Sequence, residues 1–146
     1  MRSHLFKQVK TREKMNNLIT TIKQYFAASS EDILLIFVFG SAAVNRLTSE
    51  SDVDVALLFS CTPEYFQILK IKAELAAAVG REVDLVILND SSPIIRMQVL
   101  KNGILLKKFS SAAYSEFVVR TVKEYDDLKR KRKEAEDRLL QGRIYA

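Results

Sequence analysis

Seven consecutive apolar residues, Ile33-Leu34-Leu35-Ile36-Phe37-Val38-Phe39, stopping abruptly at Gly40-Ser41, constrain this chain more than any other feature. A short unbroken run rich in β-branched and aromatic side chains predicts a strand buried on both faces, because a strand with one wet face would alternate. A second strand does alternate. Val53, Val55, Leu57 and Phe59 interleave with Asp52, Asp54, Ala56 and Leu58, the period-two pattern of a pleated strand. Val83-Asp84-Leu85-Val86-Ile87-Leu88 predicts a third, and Ile104-Leu105-Leu106 a short edge strand.

Helical patterns separate these strands. Over residues 8–28, Val9, Met15, Leu18, Ile19, Ile22, Tyr25 and Phe26 recur at three- and four-residue spacings and form one apolar stripe. Thr62 reads as the cap of a second helix, with Pro63 at its first position. Tyr65, Phe66, Leu69, Lys72, Leu75, Ala76 and Val79 carry that helix forward, and Gly80 ends it. Ser91-Ser92-Pro93 opens a third helix, closed by Asn102-Gly103. From about Ala113 to Leu140 the pattern is helical again, with Val118, Val122, Tyr125, Leu128, Ala135 and Leu139 as a narrow seam. Lys129 to Glu134 is almost entirely charged, so the second half of this helix has little to bury within one copy. Ala42 to Ser51 reads as one helical turn followed by a loop. Strands alternating with helices place the chain in the α/β (α+β) class, with one small mixed sheet covered by helices. Its 146 residues fit one domain, with a core at about 8–108 and a C-terminal helix at about 113–141 as a candidate partner-docking element.

Composition removes several chemistries. One cysteine, Cys61, excludes an intramolecular disulfide framework and a cysteine zinc site, and is expected as a small filler near a strand end. One histidine, His4, lies near a terminus expected to be mobile and without a role. Catalysis is thereby pushed toward carboxylates, oxygen-bound metal ions or lysine. No apolar run approaches the roughly 18–20 residues of a membrane span, and no secretory signal is read, so a cytoplasmic protein without membrane contact is expected. Lys and Arg number 23 against 18 Asp and Glu, a net charge of +5. Both basic ends are laced with acidic residues, which describes solvated helix faces better than a nucleic-acid surface.

Asp52 and Asp54 lie two apart on a predicted strand and project from one face, about 6.5–7 Å apart at the backbone. Asp84 is the second residue of another apolar strand. Carboxylates in such segments are costly unless a cation neutralises them. Hard divalent cations prefer oxygen, and Mg²⁺ is usually held by one or two carboxylates plus substrate phosphates. Two such ions about 4 Å apart can activate an attacking hydroxyl and stabilise leaving pyrophosphate. Gly40-Ser41, after a strand, can present backbone N–H groups and a hydroxyl to an anion, and Gly40 permits close approach. Arg46, Lys72 and Arg81 are further candidates for phosphate contact.

Gly40-Ser41, ten intervening residues, Asp52-Val53-Asp54 and then Asp84 on a following strand resemble the signature of the DNA polymerase β-like nucleotidyltransferases. The chain resembles their smallest branch, the minimal nucleotidyltransferases or MntA-type antitoxins, through Val83 to Leu106 and Ser115 to Leu140 as well. The resemblance implies a minimal polymerase β-like fold with a long C-terminal helix. It implies an enzyme that transfers AMP from ATP to a tyrosine of a cognate HEPN-type RNase toxin and so silences it. Asp52 and Asp54 would bind two Mg²⁺ ions, Asp84 would bind the catalytic one and help deprotonate the acceptor, and Gly40 and Ser41 would hold the triphosphate. Ala42-Ala43-Val44-Asn45-Arg46 stands where relatives often carry a small-basic-small-Gly pattern. With no second domain to enclose a large substrate, a partner protein is expected to supply one wall of the acceptor site. The rivals are a non-catalytic antitoxin that covers its toxin and a small-molecule nucleotidyltransferase of the aminoglycoside-modifying kind.

Overall fold

The apolar run does form a central strand, and the rest of the molecule is arranged to cover its two faces. The computed structural model describes residues 2–29, 32–40 and 52–145. Its elements follow the order α1 (Arg2–Ala27), β1 (Ile33–Phe39), β2 (Val53–Phe59), α2 (Tyr65–Val79), β3 (Val83–Ile87), α3 (Pro93–Asn102), β4 (Ile104–Lys108) and α4 (Ser111–Tyr145). The strands make one mixed sheet in the order β3-β2-β1-β4. β1 is antiparallel to both neighbours, while β2 and β3 are parallel. Consequently β2, β3 and β4 all run one way and β1 runs against them.

Each face carries its own core. On one, Ile33, Ile36, Val38, Val53, Val55 and Leu57 meet Leu18, Ile22 and Phe26 of α1 and Ile71 and Leu75 of α2. On the other, Leu35, Phe37 and Ala56 meet Leu88, Val99 of α3 and Phe117 of α4. The rings of Phe37 and Phe117 lie 6.2 Å apart. Ile33 and Ile36 share a face despite an odd spacing because the β1–β2 register shifts between Ile33 and Leu35. Burying a side chain of this kind contributes about 1.5–3 kcal/mol, so the two cores, not helix propensity, hold the helices in place.

Several sequence expectations are corrected. α1 begins at Arg2, not residue 8, and His4 lies within it. Leu5 and Phe6 of the added turns are exposed, and so is Val9 of the expected stripe. α2 begins at Tyr65 behind Glu64, which provides no side-chain cap, so Thr62 and Pro63 precede the helix. Tyr65 and Phe66 are exposed, and Ile71 and Leu75 are buried. Two apolar stripes with helical spacing overlap in this segment, and only contact with the sheet selects one. α3 matches its signals, Ser92 Oγ accepting the Ile95 N–H at 3.3 Å ahead of Pro93. On α4 the buried positions are Phe117 and Thr121, not the Val118–Val122 seam. Cys61 is exposed and fills nothing.

At 35 residues, α4 is about 52 Å long at 1.5 Å per residue, roughly twice the length of a seven-residue strand. Every residue of the stretch 129–142 is exposed. Over 129–142 this helix therefore extends beyond anything its own domain offers to cover it.

Candidate active site

Geometry at one end of the sheet gathers four of the residues singled out above. Ala56 and Leu58 face the α3/α4 core, so Asp54, earlier on β2 with the same parity, projects from that face too. The parallel register sets Asp54 directly beside Asp84, between the pairs Val53–Val83 and Val55–Leu85. Across β1 the partner of Asp54 is Phe39, which delivers Gly40 to the same corner. Asp52 stands one residue before β2 rather than on it, and Asp84 is the second residue of β3, as expected.

Burial divides the three carboxylates. Asp52 and Asp84 are exposed, and Asp54 is half-buried. The expectation that all three sit at core-like positions is thus corrected, because the ends of β2 and β3 open to solvent. Asp54 carries an electrostatic cost. Its proton affinity is raised above the ordinary aspartate range, first by burial, then by the charge of Asp84, then by that of Asp52. All three causes act in the same direction.

Gly40 is tied to this carboxylate by space as well as conformation. Its φ of +72° lies in the left-handed region that L side chains rarely adopt. A Cβ there would stand 3.1 Å from Asp54 Cγ and closer still to Oδ2. The backbone of the β1 terminus therefore lies against the carboxylate with no room for a side chain. Ser41 and Arg46, with the predicted Ala42 to Ser51 turn and loop, lie outside the described residues. Lys72 is exposed on α2, which packs on the other face of the sheet. Arg81, half-buried, stands just before β3 at the carboxylate end.

The donor set is all oxygen, which suits Mg²⁺. Among the described residues no three carboxylate, imidazole or thiol side chains form a ready-made cage. An open pair beside a backbone cradle, with mutual repulsion at Asp54, instead fits a cation completed by phosphate oxygens and water. No described helix is long and apolar enough to cross a membrane.

The family profile described as polymerase beta, nucleotidyltransferase matches residues 20–111, which include all four gathered residues. The chain belongs to this nucleotidyltransferase family. Within it the protein is of the minimal, MntA type. The nucleotidyltransferase is 31% identical over 99 residues to the protein adenylyltransferase MntA of Shewanella oneidensis, covering 67% of this chain and 70% of that one. Its fold is similar to a chain in the crystal structure of a toxin–antitoxin with AMP-PNP (TM-score 0.72, 26% identity, 84% of this chain and 98% of that one). It is also similar to a chain in the structure of tri-AMPylated Shewanella oneidensis HEPN toxin in complex with MNT antitoxin (TM-score 0.64, 25% identity, 89% and 98% covered). The mixed sheet with a long C-terminal helix agrees with the fold expected for a minimal nucleotidyltransferase.

Two features of the molecule escaped the sequence patterns. Asn89 bridges the end of β2, its Nδ2 donating to Phe59 O and its Oδ1 accepting the Phe59 N–H, both at 2.9 Å. Arg96 is buried between α3 and α4 and bonded to Glu124. A lone cation among Ile94, Ile95 and Met97 was the only available signal for the second.

Proposed function

We propose that this nucleotidyltransferase is a Mg²⁺-dependent antitoxin enzyme that transfers AMP from ATP to a tyrosine of a cognate HEPN-type toxin. The observation that carries this reading is the parallel register placing Asp54 beside Asp84, next to a Gly40 whose missing side chain leaves room for the carboxylate. Kinship with MntA and with antitoxin chains solved beside HEPN toxin supports the substrate and the partner. AMP-PNP in a similar toxin–antitoxin structure supports ATP as donor.

Asp52, Asp54 and Asp84 would hold the cation or cation pair. Bound there, Mg²⁺ would supply positive charge for the triphosphate and for the developing phenoxide of the acceptor tyrosine. The protein's own contribution is positional. β2 and β3 hold two carboxylates in fixed register, and the β1 terminus presents backbone at the distance only glycine allows. Ser41 and Arg46 would extend that cradle along the triphosphate. Repulsion among the three aspartates raises the free energy of the cation-free site, so binding a cation relieves it. The acceptor side is open, and the exposed stretch of α4 over 129–142 is the element suited to bring the toxin to it.

Incubation with labelled ATP, Mg²⁺ and the cognate toxin tests this directly. Label on the toxin that disappears with Asp52→Asn/Asp54→Asn supports the enzyme. Inhibition of the toxin by that double variant, without label, would replace it with a covering antitoxin. Label transferred to an aminoglycoside and not to protein would point to the small-molecule class.

A further inference from the structure

Away from the carboxylates, at the other end of the sheet, β2, β3 and β4 all terminate and α2, α3 and α4 all begin. In open α/β sheets this carboxyl end of the strands is where crevices usually receive ligands. A cavity of 490 Å³ opens here, floored by Leu58, Leu88 and Phe117 and bordered by Asn89, Arg96 and Arg120. Its volume lies within the roughly 300–1,000 Å³ of small-molecule sites. Its lining is mixed, an apolar patch of Leu58, Leu88 and Phe117 beside Asn89 and the arginines.

Two arginines converge at this cavity. Arg96, only 8% exposed, donates from Nε to Ser91 O at 3.2 Å and from a terminal nitrogen to Glu124. The other oxygen of Glu124 accepts from Arg120 Nε at 3.1 Å. Two guanidinium groups thus share the carboxylate of Glu124, and each carries N–H donors beyond those bonds. Glu116 also borders the cavity and balances the second guanidinium in formal charge, but among the described residues it pairs with neither arginine. Guanidinium forks suit the planar or tetrahedral oxygens of carboxylates and phosphates.

We propose that this cavity is a second ligand site, separate from the nucleotidyl-transfer corner, for a small organic anion whose charged group meets Arg96 and Arg120 and whose apolar body rests on Leu58, Leu88 and Phe117. The arginines dictate the charge and the leucine–phenylalanine floor dictates the body, so an inorganic anion alone makes only half the contacts.

The test is a chelator-treated titration followed by amide and arginine Nε resonances, with phenyl phosphate, benzoate and inorganic phosphate as probes. Saturable shifts centred on Asn89, Arg96 and Phe117 are expected for phenyl phosphate or benzoate, and the tighter of the two identifies the charged group. Inorganic phosphate should bind more weakly. Arg120→Gln removes an exposed partner and leaves the Arg96–Glu124 pair in place; losing one charge-assisted contact should weaken binding about tenfold. Glu116→Gln should tighten it. Absence of saturable shifts with all three probes at millimolar concentration overturns the proposal. So do shifts centred on Gly40, Asp54 and Asp84, or affinities unchanged by Arg120→Gln. Because the readout needs neither metal, ATP nor toxin, its failure is distinct from failure of the transferase assay.

Discussion

Replacing Gly40 with alanine isolates the contact on which the active-site geometry turns. The chain already contains its control, Gly80, which caps α2 with a φ of +68° and has nothing within 4 Å of where a Cβ would go. Both substitutions place an L-residue in the left-handed region, costing roughly 1–2 kcal/mol. Both also recover about 0.4–1 kcal/mol by restricting the unfolded chain. Gly80→Ala should therefore destabilise by about 0–1.6 kcal/mol. Gly40→Ala has the same backbone cost, but its Cβ would overlap Asp54 Oδ2 and stand 3.1 Å from Cγ. The carboxylate must rotate away, and an off-rotamer side chain adds about 0.5–1.5 kcal/mol. The stability difference between the two variants is thus small. The kinetic difference should be large, because misplacing a reacting group by about 1 Å costs on the order of a hundredfold. Urea unfolding at equilibrium and AMP-transfer rates on the same preparations measure both quantities. Full activity in Gly40→Ala, at a stability equal to Gly80→Ala, would refute the tight packing of Gly40 on Asp54.

The other expectations concern charge and the free helix. Asp54→Asn should raise the melting temperature near neutral pH while abolishing transfer. The folded protein holds Asp54 above its ordinary proton affinity, so its ionised form opposes folding at pH values above that raised pKa. The gain should fade as the pH falls toward the unfolded aspartate range, where both states bind the proton, and a gain undiminished in acid would contradict this cause. Mg²⁺ should stabilise the wild-type protein in thermal melts and stabilise Asp52→Asn/Asp54→Asn much less, a difference that equal shifts in both would erase. Glu124 behaves oppositely, held below the ordinary glutamate range first by its bond to Arg96 and then by Arg120. Its contribution is present above the unfolded pKa and disappears as the pH falls through the lowered folded value. Glu124→Gln should therefore cost about 1–2 kcal/mol at pH 7, the figure reduced for a side chain 35% exposed, and nothing in strong acid by denaturant melts. Ending the chain after Leu128 should leave stability within about 0.5 kcal/mol, since every residue over 129–142 is exposed, yet weaken toxin capture in a pull-down. A large drop in melting temperature would show instead that those turns support the domain.

Much of the architecture could be read along the chain because periodicity is a local property. The bounds of β1, the cap and proline opening α3 and the glycine ending α2 agree with the structure almost residue for residue. Failures occurred where two local patterns competed. Tyr65, Phe66 and Leu69 lie on one helical stripe and Ile71 and Leu75 on another, and the sheet selected the second. On α4 the sequence favoured Val118 and Val122, whereas Phe117 is the residue that reaches Phe37.

The site divides in the same way. Residue spacing alone put Gly40 after a buried strand and Asp54 on an alternating one, since strand geometry repeats every two residues; Asp52, expected on the same strand, stands one residue before it. Only the tertiary structure decided that Asp84 would stand beside Asp54, because register between separate strands depends on which faces the surrounding helices bury. It also decided that burial would fall on Asp54 alone, that Arg96 and Arg120 would converge on one glutamate, and that α4 over 129–142 would find no partner within its own domain. Those are consequences of pairing between segments distant along the chain, and nothing in the local pattern of either segment encodes the meeting.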